Sequence, residues 1–133
     1  MGAARLISTE DLIVVSADGR LDLAASEAAF EALLTRLESE PGRAVVLDLR
    51  SAECELTLGE VYGLVSFLAN HSSKKTLYRR VAVLIASGAH QGKAGFFALC
   101  AENRGLEARA FSAVEDVSRW LGSDASVLLD SSA

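Results

Sequence analysis

The order of apolar and polar positions near the start of the chain predicts two short strands. The segment DLIVVSADGRLDL, residues 11–23, begins with an apolar run and ends with alternating apolar and polar residues. Asp18 and Gly19 lie between these parts, and both residue types tolerate the positive φ of a tight turn. The pattern therefore predicts a β-hairpin that turns at Asp18-Gly19, after a polar start to the chain.

The next segment has the period of an amphipathic helix. Its apolar residues recur at i, i+3, i+4 and i+7, which places them on one side of a helix. They are Phe30, Leu33, Leu34 and Leu37, and the opposite side carries Glu27, Glu31, Thr35 and Glu38. Pro41 and Gly42 follow, so we predict that the helix ends there.

A second strand and helix come next. The run RAVVLDLR, residues 43–50, is almost continuously apolar, as in a parallel strand covered on both faces. Asp48 interrupts this run, and we expect a nearby loop amide to bind its carboxylate, because a buried carboxylate needs a partner. The sequence Thr57-x-x-Glu60 forms a capping box, in which each side chain binds a free amide of the other residue. It predicts the start of the second helix.

The second half of the chain repeats this alternation. The apolar run from Val81 to Ala86 predicts a third strand, and residues 94–105 predict a helix that stops at Gly105. The segment LEARAFS, residues 106–112, predicts an edge strand, and Ser112-x-x-Glu115 predicts the cap of a last short helix. The tail, residues 122–133, has no periodic pattern, so we predict that it is loosely ordered.

This order of elements predicts an α/β fold. We expect an N-terminal β-hairpin, then alternating helices and strands, in a mixed, mainly parallel sheet of about four to five strands with about four helices. Residues 1–133 are predicted to form one domain. Ligands of such sheets bind beyond the carboxyl ends of the strands, which here are the loops at residues 50–57 and 87–93.

Composition restricts the classes of function. The chain has 133 residues and a formal net charge of -5, which disfavours a surface for nucleic acid or anionic lipid. No apolar run approaches the roughly 20 residues that cross a bilayer, so we predict a cytoplasmic protein without a membrane span. Cys54 and Cys100 are far apart in sequence, and neither they nor His71 have metal-ligand spacing. We predict no metal site and no cofactor.

The segment ASGAHQGKAG, residues 86–95, joins a strand to a helix and is a candidate anion site. Free amides at a helix start, together with a lysine, attract negative charge. The candidate ligand-binding residues are Asp48, Ser87, Gly88, His90 and Lys93. A P-loop would need a glycine in place of Ser87 and a magnesium-binding hydroxyl in place of Ala94, so we predict no nucleotide hydrolysis. Glycines that only let the chain leave a strand and enter a helix are the simpler interpretation.

Several segments resemble the STAS family, the sulfate-transporter and anti-sigma-factor-antagonist domains. They are VVLDLRSAECELTLGEVYGLVSFLA at 45–69, DGRLDL at 18–23, RVAVLIAS at 80–87 and ARAFSAVEDVSRWL at 108–121. The chain is similar above all to the small bacterial SpoIIAA-like proteins of the combined STAS and CRAL-TRIO-like grouping. The resemblance extends over nearly the whole chain and implies a SpoIIAA-like fold. Some members of that grouping are suspected to bind apolar or lipid-like ligands.

The resemblance also points to a phosphorylation loop. In STAS antagonists a partner kinase phosphorylates the second serine of an Asp-Ser-Ser-Gly motif that follows the Asp-Leu strand. Here that motif falls on Leu56, Thr57, Leu58 and Gly59, with Leu58 at the phosphoacceptor position. Leucine has no hydroxyl and the capping box already uses Thr57, so we predict that the phosphoacceptor is absent.

Two functions are left open at this point. The first is a non-enzymatic STAS-like regulatory domain that binds a protein partner or a small anionic or apolar ligand, as a monomer or a homodimer. The second is a small enzyme that binds a phosphorylated or anionic substrate at the glycine-rich loop, although no catalytic residues can be assigned. An enzyme should show a pocket with several convergent polar groups, whereas an interaction domain should show an exposed apolar surface.

Overall fold

Strands and helices alternate along the chain after an initial pair of strands. The structure is a computed structural model that describes residues 3–71, 78–86, 91–122 and residue 125. The strands are Ala3–Ser8 (β1), Leu12–Leu21 (β2), Arg43–Cys54 (β3), Tyr78–Leu84 (β4) and Ala108–Phe111 (β5). The helices are Leu23–Ser39 (α1), Leu58–His71 (α2), Gln91–Asn103 (α3) and Val114–Leu121 (α4).

The strands form one mixed sheet in the order β1-β2-β3-β4-β5. β1 is antiparallel to β2, and the neighbours from β2 to β5 are parallel. α1, α2 and α3 each connect two neighbouring parallel strands and pack on one side of the sheet, which we call the helical face. α4 packs on the opposite side, the α4 face. The predicted α/β class and the mainly parallel sheet are confirmed.

The N-terminal hairpin lies earlier in the chain than predicted. β1, in the segment interpreted as a polar start, pairs with β2, and the turn comprises residues 9–11. The Thr9 hydroxyl accepts hydrogen bonds from the amides of Asp11 (3.3 Å) and Leu12 (3.1 Å), which stabilises this turn. The predicted turn at Asp18-Gly19 is wrong, because β2 continues its pairing with β3 as far as Leu21. The positive φ of Gly19, 72°, occurs within the strand, next to a shift in the pairing.

β3 is longer than its apolar run. Ser16 lies opposite Asp48 and Asp18 lies opposite Ser51, so β3 carries one extra residue between these pairs. Beyond this irregularity the polar end of β3 continues to pair with β2. The predicted loop at 50–57 is therefore strand as far as Cys54, and Asp48 lies inside β3 rather than at its carboxyl end.

The central strands form the core, as their apolar runs predict. Val45 pairs with Val81 and Leu47 pairs with Val83, and all four are buried, as is Ile85 just after β4. Because side chains alternate along a strand, each central strand contributes to both faces of the sheet. The cluster on the α4 face contains Leu12, Val14, Ala44, Val46, Ala82, Leu84, Val117, Leu121 and Ala125.

The starts of α1 and α2 are fixed by side chains. The Asp22 carboxylate accepts a hydrogen bond from the Ala25 amide at 2.9 Å, ahead of α1. Before α2, the Thr57 amide donates to Glu60 Oε1 at 2.9 Å, and the Glu60 amide donates to Thr57 Oγ1 at 3.1 Å. The predicted capping box is confirmed, and each half of it satisfies an amide that the helix itself leaves free.

The cap predicted for α4 is wrong. The helix begins one residue later than expected, and its N-cap, Ala113, makes no side-chain capping bond. Glu115 is therefore one position too close to the helix start to complete a box with Ser112. After α4, Ala125 is fully buried and its amide donates to Ser118 Oγ at 3.0 Å. The other residues of the predicted tail after Gly122 lie outside the described part of the chain.

Candidate functional site

Asp48 is held by its own strand. Its buried carboxylate accepts the Arg50 amide at 3.2 Å and forms a two-point ion pair with the Arg50 guanidinium, Nε to Oδ1 at 2.9 Å and Nη2 to Oδ2 at 3.0 Å. The amide partner expected from the sequence is thus present, although it belongs to β3 and not to a loop. The guanidinium neutralises the charge that burial would otherwise penalise.

Lys93 lies on the other side of the sheet. It is half-buried near the start of α3, and its Nζ donates to the Cys54 carbonyl oxygen at 3.2 Å. Asp48 is on the α4 face, because Leu47 and Leu49 on either side of it line a cavity on the helical face. The structure therefore does not bring these two candidate residues together. Ser87, Gly88 and His90 lie outside the described residues, and their part in an anion site stays a prediction.

A cavity of about 80 Å³ lies between the helical face of the sheet and α1, α2 and α3. Its lining is apolar apart from Ser26, Lys93 and the thiol of Cys54. Phe30 and Phe97, whose ring centroids are 6.3 Å apart, contribute its aromatic surface. It is an apolar space, and the polar atoms of Lys93 and Ser26 contribute almost nothing to its surface.

Ser26, one of the residues around this cavity, carries a buried polar atom without a partner among the described residues. The residue is only 5% exposed, and its Oγ has no hydrogen-bond partner among the described residues. It occupies the buried side of α1, one helical turn before Phe30. A buried hydroxyl without a partner costs about 1–3 kcal/mol, so Ser26 lowers the stability of this side of α1.

A groove lies between α1 and α2. It encloses about 580 Å³, and its apolar lining is Leu23, Leu64 and Phe67. Gly59 and Gly63 also line it, one turn apart on α2, and both are exposed. A Cβ added at Gly63 would meet no atom within 4 Å, and one at Gly59 would lie 3.9 Å from Thr57 Oγ1. Internal packing therefore does not require either glycine, and their missing side chains leave the helix backbone accessible in the groove.

The wall of the groove is acidic. Glu27 and Glu31 on α1 and Glu60 on α2 all line it. The Glu60 carboxylate is used in the capping box. Glu27 and Glu31 are exposed, and no cationic side chain of the described residues lies within 4.0 Å of either carboxylate. The groove thus combines an apolar lining with two carboxylates that lack a counter-charge in the described part of the protein.

An exposed ion pair links the segment between β3 and α2 to β2. Arg20 Nε donates to Glu55 Oε2 at 2.8 Å, which ties this segment to the end of β2. The hydrogen bond and the charge of Glu55 raise the pKa of Arg20 above its usual range. This contact holds the chain immediately before Thr57.

Two classes of site receive no support from the described ranges. Residues 3–71, 78–86, 91–122 and 125 contain no cluster of three histidine, cysteine or acidic side chains that could hold a metal ion. Within the same ranges, every helix is too short or too polar to cross a bilayer.

Comparison with solved structures identifies the fold. No protein-family model matches the chain, and no curated protein matches its sequence. One similar solved structure is an uncharacterized DUF3478-family protein with a SpoIIAA-like fold from Shewanella loihica PV-4, 19% identical, with 90% of this chain and 93% of that chain covered and a TM-score of 0.60. Another is the anti-sigma factor antagonist SpoIIAA in its unphosphorylated form, 17% identical, with 90% and 97% covered and a TM-score of 0.60. This chain has a SpoIIAA-like fold.

On the SpoIIAA-like fold, the loop that the STAS resemblance identifies lies beside the groove. Thr57 and Gly59 line the groove, and Leu58, between them, is the first residue of α2 with 51% of its surface exposed. Tyr62, one turn further on, is equally exposed and lies under the Arg104 guanidinium at 4.7 Å. An apolar side chain thus occupies the position that the resemblance assigns to the phosphoacceptor.

The cavity, the groove and Ser26 were not predicted from the sequence. The sequence did contain a sign of the groove, because two glycines four residues apart, Gly59 and Gly63, are unusual in a predicted helix, where glycine is disfavoured. Ser26 also had one, since it extends the apolar stripe of α1 backwards by four residues from Phe30. The cavity had none, because its walls come from six elements that are far apart in sequence.

Proposed function

We propose that the protein is a non-enzymatic regulatory domain of the STAS type that binds a basic segment of a protein partner in the groove between α1 and α2. The observation that carries this proposal is the combination of an apolar lining with the carboxylates of Glu27 and Glu31, which form no ion pair within 4.0 Å among the described residues. Complementary charge would steer and orient such a partner, while the apolar contacts supply affinity.

The two glycines of α2 support contact with the main chain of a partner. Glycine in a helix interior costs about 1 kcal/mol relative to alanine, which applies to Gly63, and neither Gly63 nor Gly59 in the first turn is required by packing among the described residues. Without side chains at these positions, a second backbone can approach α2 closely. Leu58 and Tyr62 provide exposed apolar surface on the same helix.

The chemistry of the cavity favours binding over catalysis. Its described lining is almost entirely apolar at the surface, and the side chains of Ser26, Cys54 and Lys93 do not present the acid–base pair that proton transfer needs. The alternative, a small enzyme with an anionic substrate at the glycine-rich loop, stays a prediction because Ser87, Gly88 and His90 are outside the described residues. A bacterial cytoplasmic location belongs to this proposal, as does the option of a homodimer.

Site-specific photo-cross-linking in cells of the native host tests the groove. Phe67, which lines it, is replaced by benzoylphenylalanine, an aromatic of similar shape. Phe111 on the α4 face carries the same replacement as the matched control. We expect a cross-link to a basic peptide from position 67 and none from position 111.

Charge reversal completes the test. Glu27→Arg with Glu31→Arg should abolish the cross-link, whereas Glu38→Arg, on α1 but outside the groove lining, should leave it unchanged. Equal cross-linking from both positions, no cross-link from position 67, or a yield unaffected by reversal of the groove charges would contradict the proposal.

A further inference from the structure

Two stripes of helical residues border the groove between α1 and α2. The residues of each stripe recur every three or four positions, so they lie along one side of their helix. They are Leu23, Glu27 and Glu31 on α1 and Glu60, Gly63 and Phe67 on α2. The first and last residues of a stripe are seven or eight positions apart, so the groove follows both helices for about 10–12 Å.

The width of the groove fits one side of a further α-helix. Spread over that length, its volume of about 580 Å³ corresponds to a mean cross-section of about 50 Å². An α-helix with its side chains is about 10–12 Å in diameter, so its cross-section is about twice as large. A helix lying in the groove would therefore contact both walls with one side and leave the other side in solvent.

The walls of the groove favour a helix over an extended chain. Beyond the first turns of α1 and α2, the amides and carbonyls along the walls are used in the hydrogen bonds of these two helices. An extended segment would turn part of its own backbone towards Leu64 and Phe67 without a hydrogen-bond partner, which costs free energy. A helix enters with its backbone groups already paired.

Gly63 and the two glutamates of α1 complement such a helix. Gly63 is exposed in the middle of its stripe, and a Cβ there would meet no atom within 4 Å. Packed helices lie about 8–10 Å apart, depending on the side chains at their contact, so a glycine permits a close approach. Glu27 and Glu31 are one turn apart and form no ion pair within 4.0 Å among the described residues. Basic residues one turn apart on a second helix have the same spacing.

We propose that the partner binds this groove as an amphipathic α-helix, an inference that rests on the function proposed above. The apolar side of the helix packs on Leu23, Phe67 and the backbone at Gly63. Two lysine or arginine residues, one turn apart, pair with Glu27 and Glu31. The charges orient the helix, and the apolar contact supplies the affinity.

Cross-links from the two ends of the groove measure the conformation of the bound segment. α1 and α2 begin at the same edge of the sheet, so Leu23 lies at one end of the groove and Phe67 at the other. Benzoylphenylalanine at each position in turn, in cells of the native host, attaches to the partner, and mass spectrometry locates both sites. A helix should be attached at residues about seven or eight apart, whereas an extended chain covers this length in about three or four.

A proline in the partner tests the helix independently. Proline placed between the two attachment sites should abolish the cross-link from position 67, because it breaks a helix interior, and alanine at the same place should not. An extended segment would tolerate both changes.

Two variants of this chain test the close approach to α2. Gly63→Leu places a side chain in the groove and should lower the cross-link yield about fivefold or more. It should not lower the melting temperature, because leucine is the better helix former and the site has room for it. Gly95→Leu is the matched control on α3, outside the groove lining, where an added Cβ also meets no atom within 4 Å. It should leave the yield unchanged.

Three results would overturn the inference. They are attachment sites only three or four residues apart, a proline variant that cross-links as well as the parent, and equal yields for Gly63→Leu and Gly95→Leu. In each case a basic segment would still cross-link from position 67, so the proposed function would stand. If neither position 23 nor position 67 cross-links to a basic segment, the proposed function fails and this inference fails with it.

Discussion

The α4 face and the helical face are built on the same parallel strands, yet they differ in how tightly they pack and in whether their buried polar groups have partners. On the α4 face, Val46, Ala82, Leu84 and Val117 have no exposed surface, and the buried Asp48 is fully neutralised by Arg50. On the helical face, the same strands border a cavity, and the buried Ser26 hydroxyl has no partner among the described residues.

This difference separates structural residues from candidates for binding. A space that lacks atoms loses contact energy, and an unsatisfied hydroxyl loses hydrogen-bond energy, so a face with both is less stable than it could be. Binding sites tolerate such costs because a ligand recovers them. This difference is consistent with the proposed division, in which the α4 face stabilises the fold and the helical face serves recognition.

The largest expected effect comes from a charge placed against the cavity. Val83→Asp should unfold the domain, because an isolated buried carboxylate costs several kcal/mol, on the order of the whole stability of a small domain. Val46→Asp is the matched change on the α4 face and should do the same. Circular dichroism melts measure both. A cooperative melt of Val83→Asp near the parent temperature would mean that the cavity admits water, contrary to its apolar character.

The next effect concerns the ion pair on the α4 face. Arg50→Met removes the partner of a buried carboxylate and should cost about 3 kcal/mol in the free energy of unfolding, measured with urea. Adding Asp48→Asn should recover a large part of that loss, because the uncompensated charge is then gone. If Arg50→Met cost less than about 1 kcal/mol, Asp48 would not depend on this pair.

Enlarging an alanine on each face compares their packing directly. Ala82→Leu, on the α4 face, should cost about 1–3 kcal/mol because Ala82 is fully buried among packed side chains. Ala29→Leu, at the cavity, should change stability by less than about 0.5 kcal/mol or increase it, because the added methyl groups enter existing space. If thermal melts showed that both variants lose the same stability, the two faces would not differ in packing.

The smallest effect is expected at the cap beside the groove. Thr57→Ala removes one half of the capping box and should cost about 1 kcal/mol in chemical denaturation. Thr35→Ala is the control, since that hydroxyl binds only the Glu31 carbonyl within an exposed helix surface and its loss should be nearly neutral. Intact-mass analysis of Thr57 from the native host should show no phosphate, and stoichiometric phosphate there would restore a phosphoswitch.

The architecture could be predicted from the sequence because its signals are local. Apolar runs such as 81–86 and the Thr57–Glu60 box depend on neighbouring residues, and the structure has both elements. The errors arose where a local signal competed with pairing at a distance. Asp18-Gly19 has turn chemistry, but pairing of β2 with β3 keeps it in a strand.

The candidate site was less accessible to sequence reasoning. Asp48 lies inside β3, where side-chain alternation puts it on the α4 face, whereas Lys93 lies in the first turn of α3, which packs on the helical face. A cavity is a property of how well elements fill the space between them, and no single segment encodes it. Ser26 and the two glycines of α2 were visible as exceptions to helical patterns, and such exceptions are where function departs from stability.

Binding of xenon, detected by methyl NMR of the full chain, tests the contrast between the faces most directly. Xenon enters dry apolar cavities without requiring a charge or a hydrogen bond. The account predicts saturable shifts at cavity-lining methyl groups, including those of Val61, Leu64 and Val83, and none at Val14 or Leu84 on the α4 face. Shifts of equal size on both faces, or none on the helical face, would contradict it.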